Sequence, residues 1–335
     1  MTPARAHSRI PELVHRIGRY TLCLCLLAVP SFASAGEHYA LVITGAAGGA
    51  TYAQKYDAWR ISFVSTLREK LGYDDAHLVV LADHDSAGVA RATRENVQRA
   101  LADLRKRVTS DDLLFVLLIG HGTSLDGEEA KFNLVGPDLS ASEWADLIKP
   151  IPGRLAFVDT TSASFPFMRK LAGHGRVILT ATDSAAQQFE TVFPEFFVKA
   201  FDDPAADLDK NGRVSLWEAF SYASAGVRQW YDQHGRLPTE RALLDDDGDG
   251  IGREAQSPGL DGAIARVTYL EPDAAASGDG DAAAGGLVKK KADLEARIEA
   301  LKARKSTMAP DEYAAELEAL LTELARVSRQ IRAKT

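Results

Sequence analysis

Cysteine is almost missing from this chain. There are two in 335 residues, Cys23 and Cys25, and both lie in the N-terminal apolar segment. From residue 36 onward no thiol is present, so that part can form no disulfide, no thiolate metal site and no cysteine nucleophile. Long apolar runs are missing as well. The segment at residues 20–30 is too short to cross a hydrocarbon core of about 30 Å. A basic stripe is also absent. The formal net charge is −8, which argues against a nucleic-acid partner. Residues 45–49 are glycine-rich but fit neither a Walker loop nor G-x-G-x-x-G, so nothing here points to a nucleotide.

What is present begins with a targeting pattern. Arg5, Arg9, Arg16 and Arg19 precede the apolar segment, and Ala33-Ser34-Ala35 is a small-x-small cleavage site. The expected product starts at Gly36 and is periplasmic or secreted from a bacterium. Residues 1–35 carry four arginines and one glutamate, so without them the formal charge becomes −11. The remainder has an ordinary globular composition, 46% hydrophobic and 26% charged.

The pattern from residue 36 to 272 is α/β. Seven apolar residues run from Leu113 to Ile119 without interruption, the signature of a strand covered on both faces. The run ends in Gly120-His121-Gly122. Further strands are expected at 39–44, 77–81, 154–158, 176–182 and 265–269. Helices are expected at 52–71, with Ile61, Phe63, Val64 and Leu67 inward, and at 93–108, 143–148, 193–201 and 216–233. Alternating strands and helices predict βαβ units and a mostly parallel sheet with helices on both faces. In such sheets, function gathers past the carboxyl ends of the strands. That singles out His121 over His174 and His234, which stand in a loop and at a helix end. Residues 123–136 read as a polar loop walling the cleft.

Two acidic loops follow. Residues 207–218 fit the calcium-loop pattern of the EF-hand. Asp207, Asp209 and Asn211 offer side-chain oxygens, Gly212 the sharp turn and Arg213 its carbonyl. Ser215 can act through water, and Glu218 can bind with both oxygens. Asp245, Asp247 and Asp249 with Gly250 repeat the first half, but Gln256 stands at the twelfth position. That makes the second loop a weaker or differently closed site, inside an insertion spanning roughly 193–256. Ca²⁺ is the cofactor expected.

Residues 273–286 contain only small and acidic residues and read as a linker. Residues 287–306 and 310–333 are charged helices with apolar seams at 294, 298 and 301, and at 313, 317, 320, 324, 327 and 331. They make a helical hairpin or a coiled coil, pairing with each other or with a second chain.

A strand ending in His121-Gly122, followed by a strand ending in Asp159-Thr160-Thr161-Ser162, resembles the caspase–hemoglobinase fold. The likeness covers residues 39–250 and looks closest to the legumain-like branch of cysteine peptidases in its secreted bacterial form. Gly72-Tyr73 fits that branch too. The resemblance implies a three-layer αβα domain. It also implies a dyad of a histidine after the third strand and a cysteine after the fourth, within an acidic-x-Cys-x-Ser-Gly pattern. Here Asp159 is the acidic residue and Thr161 holds the cysteine position. Ala163 and Ser164 stand where serine and glycine would be.

Three readings follow. The chain can be a pseudo-peptidase that binds a peptide or protein. It can be a hydrolase using Ser162 or Thr161 with His121 as base. Or it can be a calcium-stabilised scaffold working through its C-terminal helices. With no thiol, His121 and Asp159 can instead be residues that organise the strand ends.

Overall fold

The computed structural model describes residues 36–272, a set of positions between 287 and 305, and residues 308–332. The expected signal segment and the linker at 273–286 lie outside the described residues.

A seven-stranded sheet forms the centre, in the order β10-β9-β8-β4-β1-β2-β3. In chain order these are β1 (His38–Thr44), β2 (Leu78–Ala82), β3 (Ala90–Arg91), β4 (Leu113–Ile119), β8 (Arg154–Asp159), β9 (Arg176–Thr180) and β10 (Leu243–Asp245). Every pairing is parallel except that of β10 with β9. All seven residues of β1 and of β4 are buried, as an uninterrupted apolar run predicts for central strands.

Side-chain alternation divides the core in two. Leu113, Phe115, Leu117 and Ile119 face one layer, with Ala40 and Val42. Leu114, Val116 and Leu118 face the other, with Tyr39, Leu41 and Ile43. Helices α1 (Ala50–Glu69), α5 (Phe193–Ala200) and α6 (Leu216–Gln233) cover the first face. Helices α2 (Arg94–Arg107), α3 (Ala141–Ile148) and α4 (Phe165–Leu171) cover the second. The result is a three-layer αβα sandwich.

Three expectations are corrected. Residues 123–136 are not an irregular loop. They hold most of a small antiparallel sheet, β5 (Gly122–Ser124), β6 (Ala130–Phe132) and β7 (Leu139–Ser140). Residues 265–269 form no strand; Ala265–Val267 is a 3₁₀ turn, and Tyr269 makes a single bridge to Ser215. Ile61 is 58% exposed. The buried positions of α1 are Tyr56, Trp59, Arg60, Phe63, Thr66 and Leu67, and the three-and-four spacing of that face leaves Ile61 outside it.

At the C-terminal end, described positions between 287 and 302 are helical, and α7 (Pro310–Arg332) follows. Leu294, Ile298 and Leu301 pack with Leu320 and Val327 in a cluster of their own. The two seams thus meet within the chain. Among the described residues, no helix is long and apolar enough to cross a membrane.

Candidate functional site

Parallel pairing of β4 with β8 sets Leu118 opposite Asp159. The two strand ends singled out by sequence therefore lie side by side, and His121 and Thr161 follow them from the same edge. Gly122 is the point of contact. A Cβ there would lie 2.1 Å from the Ser162 carbonyl oxygen and 2.6 Å from Thr161 Oγ1, so only glycine admits this approach.

Thr161 and Ser162 are buried, with 0% and 3% exposure. Neither hydroxyl turns to the histidine. Thr161 Oγ1 donates to Asp159 Oδ1 at 2.7 Å, and the Thr161 N–H bonds the same oxygen at 3.0 Å. Ser162 Oγ donates to the Gly122 carbonyl at 2.9 Å and accepts from the Gly122 N–H at 3.2 Å. The hydroxyl of Ser162 is thereby a staple between the strand ends. Ser164 exchanges hydrogen bonds with Thr182 beyond β9. Ala163 sits at φ +54, and its N–H donates to the Gln187 carbonyl at 2.7 Å.

Asp159 is fully buried. Burial pushes its carboxyl up to about 7, against the pull of the two Thr161 hydrogen bonds. Among the described residues, its Oδ2 has no hydrogen-bond partner.

His121 is half-buried and held from the opposite side. Its Nε2 lies 3.1 Å from the Ala47 carbonyl in the loop after β1. A carbonyl can only accept, so this contact places the proton on Nε2. The Tyr56 hydroxyl stands 3.3 and 3.4 Å from the two ring nitrogens. The Tyr52 ring meets the imidazole edge-on at 4.7 Å between centroids. Among the described residues, no hydrogen bond joins His121 to Thr161 or Ser162. Tyr52, Tyr56 and Ala47 come from α1 and the loop before it, far from the His-Gly signal in sequence. The first-turn register of α1 could have indicated the two tyrosines.

Over the Thr160–Ala163 turn runs the segment 183–192. Gln187 and Thr191 bond its backbone, Gln188 reaches the Ser124 carbonyl at 2.9 Å, and Glu190 pairs with Lys55 of α1 at 2.9 Å. Beyond the strand end at Asp183-Ser184, the sequence pattern gives no expectation for this segment.

The first acidic loop spans residues 207–218. Helix α5 leads in and α6 leads out, and Gly212 takes φ +86. Carboxylate oxygens of Asp207, Asp209 and Glu218 lie within 4.8 Å of one another. Asp207 accepts from the N–H groups of Asn211 and Gly212, and Asn211 Oδ1 from that of Arg213. Glu218 Oε1 accepts from the N–H groups of Leu208 and Asp209, and Oε2 from Ser215 in a capping box. The Arg213 side chain pairs with Glu271 at 2.6 Å and lies over the Tyr269 ring. This all-oxygen donor set, converging on a point behind a positive-φ glycine, fits a hard divalent cation.

Asp245, Asp247 and Asp249 also converge within 4.8 Å. Gln256, at the twelfth position, is exposed. Two aspartates that the sequence did not flag complete the surroundings. Asp246 accepts from the N–H groups of Gly262, Ile264 and Ala265, and Asp261 from those of Asp246 and Asp247.

Comparison with known proteins finds no matching family model. Over 103 residues the chain is 31% identical to metacaspase-6 of Arabidopsis thaliana, covering 28% of this chain and 27% of that protein. Over 96 residues it is 31% identical to metacaspase-4 of the same plant, covering 26% and 23%. The match thus spans about a quarter of the length of either metacaspase. Among solved structures, the Drosophila initiator caspase Dronc is similar at 13% identity, with 81% of this chain and 98% of that chain covered and a TM-score of 0.38. Protein GSU0716 from Geobacter sulfurreducens is similar at 15% identity, with 65% and 97% covered and a TM-score of 0.39. The sheet topology above, with the stretch similar to the metacaspases, is that of a caspase-like αβα fold.

Proposed function

We propose that this chain is a peptidase homologue that binds a peptide or protein at the β4–β8 strand ends and does not cleave it. In its local pattern it stands nearest the legumain-like branch, with Thr161 in the place of the cysteine nucleophile. Nucleophilic catalysis needs a nucleophile hydrogen-bonded to its base and N–H donors free to meet an oxyanion. Here Thr161 and Ser162 donate to Asp159 and Gly122, and the N–H groups of Thr161 and Gly122 bond to Asp159 and Ser162. That closed set of four bonds is the observation supporting the reading. A threonine hydroxyl is also far less acidic than a thiol, and its β-branch crowds the approach.

Calcium belongs to the same proposal. Asp207, Asp209, Asn211, the Arg213 carbonyl, Ser215 through water, and Glu218 would hold Ca²⁺ in the first loop. The ion would supply positive charge tying α5 to α6 and to the segment around Tyr269. Loss of residues 1–35 on export would place the protein in the periplasm or outside the cell.

The test is cleavage of a diverse fluorogenic peptide library by the purified protein with calcium, beside His121→Ala. No turnover by either is expected. Turnover by the parent that vanishes in His121→Ala would overturn the proposal and make Thr161 or Ser162 the nucleophile.

A further inference from the structure

A cavity of about 140 Å³ opens between the β5–β6 turn and α4, lined by Gly127, Glu128, Phe165, Pro166, Arg169 and Lys170. Its walls continue the two strand ends of the candidate site. Strand β4 runs through His121 into β5 and its turn, and β8 runs through Thr161 and Ser162 into α4. Helix α4 covers the sheet face opposite α1, so the cavity stands across the Thr161–Ser162 turn from the tyrosines that hold His121. Its size selects the occupant. It exceeds the roughly 30 Å³ of a water several times over, yet falls well short of the roughly 300 Å³ of a small-molecule site. A single side chain fits.

Two cations meet one anion in the lining. Arg169 reaches Glu128 at 3.9 Å, and both side chains are exposed. An ion pair that long and that wet contributes little. Lys170 is exposed and, among the described residues, is paired with no carboxylate. The other acids of the turn are engaged elsewhere. Asp126 accepts from the N–H groups of Glu128 and Glu129 at 3.1 Å each, and Glu129 bonds the N–H and hydroxyl of Ser142 on α3. Both cations therefore lack a close partner, in a chain whose formal net charge is −8. A guanidinium matches both oxygens of a carboxylate, and an ammonium adds a point charge. Phe165 and Pro166 supply an apolar wall for a short stem. Two further residues favour a polypeptide over a free anion. Leu125 on the same turn and Phe189 on the segment 183–192 are 98% and 70% exposed, and the Gln188–Ser124 bond brings the two stretches that carry them together. Apolar side chains gathered and exposed at one edge suit a macromolecular partner.

We propose that this cavity is a subsite for an acidic side chain, an aspartate or glutamate of the polypeptide that binds at the β4–β8 strand ends. The incoming carboxylate takes the place of Glu128 at Arg169 and pairs with Lys170 as well, while Phe165 and Pro166 cover its methylene stem. Glu128 is then a weak internal competitor for the same guanidinium. The inference rests on the peptide-binding reading above and narrows its partner to acidic polypeptides.

Selection of a phage-displayed random dodecapeptide library on the purified protein tests it, followed by fluorescence anisotropy with the strongest binder as a labelled synthetic peptide. The enriched sequences are expected to share an acidic residue at one position. Changing that residue to its amide should weaken binding about tenfold. Arg169→Gln and Lys170→Gln should each weaken the acidic peptide and leave the amide peptide as it was. Glu128→Gln should tighten the acidic peptide about threefold. Opposite effects from exposed side chains of one cavity separate competition for a ligand from damage to the fold. Enriched binders with no shared acidic residue overturn the proposal and leave the peptide-binding reading standing. So do acidic binders indifferent to Arg169 and Lys170, and so does an equal weakening by all three variants. Failure to enrich any peptide overturns the peptide-binding reading and this inference with it.

Discussion

Gly122 shows what a single position contributes to this site. Sequence marks it as one of two glycines flanking His121, which suggests a turn. Its role in the structure is different: it lets β5 lie directly against the Thr161–Ser162 peptide. Adding one methyl in Gly122→Ala places carbon 2.1 Å from a carbonyl oxygen, and backbone cannot swing aside as a side chain can. The expected cost is about 3 kcal/mol, toward the upper end for overpacking, read as a lower urea midpoint with the slope kept. A midpoint matching the parent would show that the strand ends are looser than drawn. The histidine and the acidic residue were legible because each ends a strong apolar run. The hydrogen-bond directions of Thr161 and Ser162 were not, because the acceptors, Asp159 Oδ1 and the Gly122 carbonyl, are set by the β4–β8 register and not by spacing. Tyr56 and Tyr52 escaped notice for a related reason: they reach His121 from a different element.

Elements were legible where capping chemistry and periodicity agree. Thr93 caps α2, Ser140 with Glu143 boxes α3, and Ser215 with Glu218 boxes α6. Short elements carried too little pattern. Strands β3 and β7 have two residues each, and α4 has seven. Residues 264–265 could not join a strand because Asp246 captures their N–H groups.

The start of α5 depends on another distant carboxylate, Glu240. It is 5% exposed and accepts from the N–H groups of Val192 and Phe193 and from the Tyr231 hydroxyl. Burial pushes its carboxyl from 4.5 up to about 7, against the pull of those bonds and of the Lys55 charge. Between those pH values the folded chain keeps a proton that the unfolded chain has released. The stability from this group is therefore full below about pH 4.5 and is lost as pH rises through about 7. Glu240→Gln, always neutral, should remove that loss. Relative to it, the parent should become less stable from pH 5 to 8 by on the order of 3 kcal/mol. Parallel stability–pH curves for the two proteins would refute this assignment.

At the scale of the whole molecule, apolar burial is partitioned. Two clusters line the faces of the sheet and draw on residues up to Leu270. The third draws on positions from Leu287 onward, and no residue belongs to both sets. In the sequence, the change of composition at 273–286 is read as a linker, and the seams admit either each other or a second chain as partner. The cluster of Leu294, Ile298 and Leu301 with Leu320 and Val327 covers them within one chain. Stability should then follow the same partition, because sites that share no partners contribute additively. A chain ending at residue 272 should unfold within about 0.5 kcal/mol of the full-length protein in urea. In circular dichroism, the isolated segment 287–335 should be helical, since two seams burying each other offset the cost of ordering short helices. A truncated chain that loses several kcal/mol would mean that the α/β part needs the helices for its own folding. A random-coil spectrum for the segment would mean the reverse dependence, with the hairpin formed only on the α/β body.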